Sequence, residues 1–360
     1  MPPRMAGGGD LIFVISADYA RRTGGWVYDH RLLKELADRG WRIRTATLPA
    51  GFPTPSPAAR AQSAAAFAAI ADGSLVLADQ LCLGVLPEVA ATEGDRLRLA
   101  MIVHHPLALE GYRAASGGAA LAQSEREALR HTAAVIATSP STARLLRADY
   151  AVAAERILVA VPGVDPHPLA RGSGGGVLNL ISVGAVIPRK NHGLLLGALA
   201  GLKHLPWRLT LVGNLARAPD HVAQLRGLIA TCGLSARVRL AGEVSEARLG
   251  RLWLGADLFV SASRHEGYGM AIAEAFAHGV PVVATYAGAA GAWVGRRGAK
   301  IVRNDSLASL RAALGEVMGA RANRAALRRD AVARRRTLPS WAATAAAVES
   351  RLSQLLESRS

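Results

Sequence analysis

Cysteine is nearly missing from this chain of 360 residues: only Cys82 and Cys232 occur, far apart and without metal-ligand spacing. That excludes a disulfide framework and a thiolate metal site, and the expectation is two reduced, buried thiols in a cytoplasmic protein. No stretch approaches the roughly 20 apolar residues that a membrane span needs. The run Leu11 to Ser16 is shorter than a signal-peptide core and is followed closely by Asp18, so it reads as a first strand. Aromatics make up 5% of the chain and are not interleaved with its basic residues, which argues against a single-strand nucleic-acid platform; nucleic acid is not an expected partner. No Asp-x-Asp pair and no His/Asp cluster at a strand end is visible, so neither a metal nor a resident cofactor is expected.

Acidic residues are also in short supply, 27 against 43 Lys plus Arg, for a net charge of +16. Such a surface attracts phosphates, anionic lipids or nucleic acid before any specific contact forms. A composition rich in Ala, Arg and Gly accounts for the excess equally well, so charge names a class of partner and not a function. The densest basic window, Arg321, Arg324, Arg328, Arg329, Arg334, Arg335 and Arg336, falls on an expected helix. It reads first as a solvated face, and second as a peripheral contact with an anionic membrane.

What the chain does have is rhythm. Apolar runs at Leu11 to Ser16, Ile43 to Thr47, Leu75 to Ala78, Leu99 to Val103, Val135 to Thr138 and Ile157 to Val161 alternate with helical stretches, the pattern of a parallel sheet with crossover helices. A stretch rich in Pro and Gly interrupts it. The rhythm restarts at Leu178 to Val183, Leu209 to Val212, Val238 to Ala241, Leu258 to Ser261, Val282 to Thr285 and Ile301 to Arg303. The reading is therefore an α/β chain of two Rossmann-like, doubly wound parallel-sheet domains. They comprise residues 1–167 and 178–338, joined by a linker at 168–177 and closed by a helix within 339–360 that carries Trp341, Val348, Leu352 and Leu355 near one face. Ligands of such sheets bind at the carboxyl ends of strands, so facing domains are expected to form a cleft lined by strand-to-helix loops.

Two of those loops carry chemistry. In Ser263-Arg264-His265-Glu266-Gly267-Tyr268-Gly269-Met270-Ala271-Ile272-Ala273-Glu274, two carboxylates stand eight positions apart. Were most of that segment helical, Glu274 would lie about 12 Å deeper than Glu266 and about 80° around the axis, so two separated parts of one ligand would be held. Gly267 and Gly269 allow close backbone approach, and free N–H groups around Tyr268 to Ala271 suit a phosphate. Glu274, among Ala271, Ile272, Ala275 and Phe276, is expected to be partly buried and partnered. In Val183-Gly184-Ala185-Val186-Ile187-Pro188-Arg189-Lys190-Asn191, adjacent cations at a strand end are placed to hold a diphosphate.

With these loops, the chain resembles the family-4 glycosyltransferases of the GT-B fold. The resemblance extends to Gly24-Gly25, His104-His105-Pro106, Ser139, the Val161-Pro162-Gly163-Val164-Asp165 turn and Gly279-Val280-Pro281. It implies a retaining, metal-independent enzyme that moves a sugar from a nucleotide-diphosphate-sugar donor, used as co-substrate, to an acceptor that is a small molecule, a polysaccharide or lipid-linked. By position, Arg189 and Lys190 would hold the diphosphate, Glu274 the ribose, and Glu266 the donor sugar. Backbone at Gly184, Gly267, Tyr268, Gly269, Met270 and Ala271 would complete the donor contacts, and Val244 would meet the base. Gly24 and Gly25 would approach the phosphates and the acceptor, and His104 or His105 the sugar. The C-terminal helix is expected to cross back to the first domain. One departure stands out: Ala287-Gly288-Ala289-Ala290-Gly291-Ala292-Trp293 replaces the family's Gly-Gly-x-Pro-Glu stretch, leaving that loop's conformation and the donor preference open. A catalytically silent anion-binding protein, and GT-B epimerases or phosphorylases, are the alternative readings.

Overall fold

A computed structural model describes residues 8–20, 23–110, 114–295 and 297–358. The ends of the expected domains at residues 1–7 and 359–360 lie outside the described residues. The chain divides into two compact units after Gly163 and again before Pro339, so the first unit contains both ends of the described chain and the second is residues 164–338. The stretch 168–177 belongs to the second unit, with Ala170 buried in its core and bonded through its N–H to the His278 carbonyl at 2.8 Å.

In the first unit, β1 (Asp10–Ser16), β2 (Arg42–Leu48), β3 (Leu75–Asp79), β4 (Arg98–Val103), β5 (Ala134–Ala137) and β6 (Ile157–Val159) form a parallel sheet in the order β2-β1-β3-β4-β5-β6. In the second, β7 (Leu178–Val183), β8 (Trp207–Val212), β9 (Val238–Gly242), β10 (Leu258–Ser261), β11 (Val282–Thr285) and β12 (Ala299–Val302) order as β12-β11-β10-β7-β8-β9. Every apolar run read from the sequence is a strand, with ends shifted by two residues at most. The strands are apolar on both faces because helices cover both. In the second sheet Leu180, Leu211, Leu258 and Val260 fill one core, while Ile181, Val212, Phe259 and Val282 fill the other.

Each order reverses once, between β1 and β3 in the first sheet and between β7 and β10 in the second. Loops leaving a sheet at such a point diverge and open a crevice at the strands' carboxyl ends. The loop after β7 carries Arg189 and Lys190, and the loop after β10 carries Glu266.

The C-terminal helix Trp341–Glu357 is capped by the Ser340 hydroxyl, which accepts from the Ala343 N–H. It belongs to the first unit, where Trp341, Ala345, Val348 and Leu352 are buried and Thr344 donates to the Val161 carbonyl at 2.7 Å. Leu355, expected on the same face, is only partly buried. Of the two cysteines only Cys82 is fully buried; Cys232 follows its helix as the C-cap and is half covered, which corrects the expectation of two buried thiols.

Candidate functional site

The loop after β7 depends on Gly184, whose φ of 146° is open to glycine and rarely to other residues. A Cβ there would lie 3.0 Å from Cε and 3.2 Å from Nζ of Lys190, so the missing side chain is what lets Lys190 fold over the strand end. Pro188, Arg189 and Lys190 form one 3-10 turn, ended by Asn191 in the left-handed conformation at φ 50°. The side chains then converge on Glu266. Lys190 Nζ is 2.6 Å from Glu266 Oε1, Arg189 Nη1 is 3.7 Å from Oε2, and the Ser263 hydroxyl donates to Oε1 at 2.6 Å. Burial opposes charge on Glu266, but Lys190 and Arg189 outweigh it and hold the carboxyl down at about 2. Glu266 is therefore an anion across the physiological range.

The two loops are also stitched through backbone. Arg189 Nη1 donates to the His265 carbonyl at 2.6 Å, and the Arg264 N–H donates to the Arg189 carbonyl at 2.9 Å. Asp305, just past β12, accepts from Asn191 Nδ2 and from Arg264 Nε, each at 3.0 Å. Ser263 is fixed from behind by Thr285, whose hydroxyl donates to its carbonyl at 2.7 Å.

The helix in this segment starts later than the eight-residue spacing assumed. It runs Met270–Ala277, because Gly269 at φ 92° ends the loop in a left-handed turn, and no side chain caps it. Glu266 is thus a loop residue, and the estimated helical rise and angle between the two carboxylates do not apply. The N–H groups of Ile272 and Ala273 bond to the Gly269 carbonyl at 2.9 and 3.2 Å, which leaves those of Met270 and Ala271 without an intrahelical acceptor, at the positive end of the helix dipole, as an oxyanion site requires. Met270 and Ala271 stand in that turn, half exposed. Gly267 and Tyr268 are buried; the Tyr268 ring stacks on Trp293 at 4.9 Å and its carbonyl accepts from Trp293 Nε1 at 2.6 Å.

Glu274 does not join the Arg189–Lys190–Glu266 group; no hydrogen bond or ion pair links them among the described residues. It accepts from Trp253 Nε1 at 2.8 Å, and burial raises its carboxyl to about 7, with Trp253 opposing and Asp165 adding to the rise. His167 and His278 bring ring nitrogens within 4.8 Å of its carboxylate, but their rings stack face to face at 4.4 Å and His278 Nδ1 turns to the Pro168 carbonyl at 3.1 Å. The two rings thus form an aromatic stack, and His278 Nε2 is buried without a hydrogen-bond partner among the described residues.

The loop Ala287 to Trp293, where family resemblance failed, docks on Glu266 itself. Gly288 pairs with Glu266 as an isolated parallel bridge, and the Ala289 N–H donates to the Glu266 carbonyl at 3.1 Å. Val244 lies beyond β9 and is half buried against the second unit's core. There the strand ends are drawn close: the Gly213 N–H donates to the Gly242 carbonyl at 2.9 Å, and a Cβ on Gly213 would lie 2.0 Å from the Gly184 carbonyl oxygen.

In the first unit Thr23 caps the helix Gly24–Asp38, accepting from the Trp26 N–H at 3.1 Å. Gly24 is exposed, while Gly25 lies against His104. Of the two histidines, the ring of His105 is buried and that of His104 is partly open, its Nε2 placed 3.3 Å from Asp29 Oδ1 and 3.4 Å from Asp79 Oδ2. A His/Asp cluster thus does stand at the strand ends, contrary to the reading of the sequence. Its members are separated by dozens of residues and meet only because β1, β3 and β4 are neighbours. Sequence reasoning missed Ser263, Trp253, Asp305, Asp29 and Asp79 for the same reason, except Ser263, which was visible three residues before Glu266.

The arginine-rich window is less available to a membrane than its count suggests. Arg324 donates to the Val317 and Met318 carbonyls at 3.2 Å, Arg328 to that of Ala170, Arg334 to that of Trp293, and Arg335 to that of His167. Arg334 also lies over the Phe276 and Trp293 rings. Arg321, Arg329 and Arg336 are left exposed. No helix among the described residues is long and apolar enough to cross a membrane.

Residues 172–330 match the family described as glycosyl transferases, group 1. A D-inositol 3-phosphate glycosyltransferase of Xylanimonas cellulosilytica is 31% identical over 182 residues, 46% of this chain and 43% of that protein. A mannosylfructose-phosphate synthase of Agrobacterium fabrum is 31% identical over 43% of this chain and 38% of its own length. The matched part therefore spans less than half of either relative. Among solved structures, a sucrose-phosphate synthase of Thermosynechococcus elongatus superposes with a TM-score of 0.81 at 20% identity, covering 97% of this chain and 99% of that one. HepE of Anabaena, in complex with UDP and glucose, does so with 0.77 at 19% identity, covering 96% and 99%. These likenesses establish the GT-B fold.

Proposed function

We propose, from the premise that residues 172–330 form a group 1 glycosyl transferase domain within a GT-B chain, that this protein moves a sugar from a nucleoside-diphosphate-sugar to an acceptor hydroxyl with retention of anomeric configuration. The observation that carries this reading is the meeting of Arg189, Lys190 and Glu266 at the sheet's reversal point, beside an uncapped helix start. Breaking the bond between the anomeric carbon and the diphosphate leaves negative charge on the departing oxygen. Arg189, Lys190 and the N–H groups at Tyr268 to Ala271 are assigned to that charge, so it is met without a metal. Glu266, anionic and aimed by Lys190 and Ser263, is assigned to the sugar hydroxyls. Glu274 is assigned to the ribose and the backbone at Val244 to the base. Gly24, Gly25 and His104 are assigned to substrate contacts made by the first unit. HepE's complex with UDP and glucose supports a nucleotide donor.

A thermal-shift series with nucleoside diphosphates and their sugars tests the reading, since a ligand of the folded state at 100 times its Kd adds about 2.7 kcal/mol of stability. At least one nucleotide should raise Tm by several degrees in wild type and by much less in a Lys190→Ala, Arg189→Ala double variant. No shift with any nucleotide, together with no donor hydrolysis, would sink it.

A further inference from the structure

The cluster around His104 is built with more care than a structural histidine needs. Its backbone is pinned from both sides: the His104 N–H donates to Gln80 Oε1 at 2.5 Å, and its carbonyl accepts from the Thr138 and Thr142 hydroxyls at 3.1 and 3.2 Å. Tyr28 sets its ring edge-on at 5.4 Å. Gly25 lies against the other side, where a Cβ would stand 3.0 Å from Cδ2 and 3.1 Å from Nε2. The ring therefore has one place to be. In that place a single nitrogen, Nε2, faces two carboxylates whose side chains are each 1% exposed.

Two buried carboxylates directed at one point repel each other unless positive charge stands between them. A neutral imidazole does not supply it. The elements packed around the ring bring Asp29 from the helix after β1 and Asp79 from the end of β3. They also bring the Tyr28 phenol, driven upward by burial and then by Asp29, and the Cys82 thiol, driven upward by burial and then by Asp79 and Asp29; both are neutral. From the helix Pro140–Asp149 comes the Thr142 hydroxyl, which holds the His104 carbonyl. Burial works against a charged His104, yet the paired aspartates outweigh it and carry the imidazole to about 10. The remaining ring nitrogen, Nδ1, makes no hydrogen bond among the described residues, and the side chain is 15% exposed.

We propose that Asp29 and Asp79 are positioning residues that lock His104 as an imidazolium, leaving its Nδ1–H as a fixed hydrogen-bond donor to an oxygen of the substrate and denying the ring any part as a general base. Its use in sugar transfer rests on the function proposed above; the locked charge does not. The arrangement gives the first unit a constant, immobile cation where a free histidine would switch off near neutrality.

The test is a titration of the full chain carrying 15N-labelled histidine, with the His104 signals identified by their loss in His104→Gln. Wild type should show both ring nitrogens protonated from about pH 6 to about pH 9 with no midpoint. Asp79→Asn, which keeps the cap on the Leu81 N–H, and Asp29→Asn should each lower the midpoint by about two pH units or more, into that window. With an active donor in hand, kcat of the Asp79→Asn enzyme should fall as pH rises through the new midpoint, while that of wild type stays level and KM for the nucleotide changes little. A wild-type His104 that titrates below pH 8, or a divalent ion bound one to one in place of the Nε2 proton, would overturn the proposal even if both variants failed to fold. A locked imidazolium in a protein inactive with every donor would overturn the use of His104 in transfer and the glycosyltransferase reading with it, and would leave the lock in place.

Discussion

At Glu274, burial disfavours the charged carboxylate, and the single Trp253 N–H bond does not restore it. An unfolded glutamate releases its proton near 4.5, whereas this one does so at about 7. The folded state thus holds the proton longer, and stability from this group is greatest below 4.5 and declines as pH rises through 7. Wild type should lose about 1 to 3 kcal/mol between about pH 5 and about pH 8. Glu274→Gln should remove most of that slope while weakening nucleotide binding. Urea denaturation at the two pH values measures it, and equal slopes in the two proteins would show an ordinary carboxyl. Glu266 behaves in the opposite sense: its stabilisation is full above 4.5 and is lost as pH falls towards 2. The sequence already set Glu274 apart by its apolar neighbours; what gives the two glutamates opposite titration is the company each keeps. Arg189 and Lys190 could be seen as a pair, and Glu266 as part of a loop, because each lies in a short contiguous stretch. Trp253, Asp29 and Asp79 could not, since nothing near them in the chain announces their partners.

Among elements, the strands were the most legible because they are buried on both faces and so read as unbroken apolar runs. Helix starts were less so. Gly269 shortens the expected helix by reaching φ 92°, a conformation that composition alone does not reveal. The ends of β7, β8 and β9 show the same dependence on glycine, with Gly184 and Gly213 at φ 146° and 149°. A Cβ on Gly213 would stand 2.0 Å from a backbone oxygen, which no side-chain movement relieves. Gly213→Ala should therefore destabilise the second unit by about 2 kcal/mol or more through strain and displacement of the Gly184 loop. It should show as a lower urea midpoint together with weaker nucleotide binding. An unchanged midpoint would mean that the three strand ends part without cost.

For the whole molecule, the division after Gly163 and before Pro339 makes the last helix part of the first unit. Removing residues 339–360 uncovers the sites of Trp341, Val348 and Leu352, each buried, and strips the Tyr28 ring of its neighbour at 5.8 Å. Burial of three such side chains is worth about 5 to 8 kcal/mol, of the order of a domain's entire stability. The truncated chain should therefore lose the unfolding transition of the first unit and keep that of the second, as followed by protease resistance or calorimetry. Loss of both transitions, or of neither, would contradict the assignment of this helix.

That topology also orders events at the ribosome. The first unit begins to emerge before the inserted one, but its sheet stays uncovered along the place of Trp341 until residues 341–357 are made, while the inserted unit has all its strands well before that. In this chain, the half made first is the half completed last.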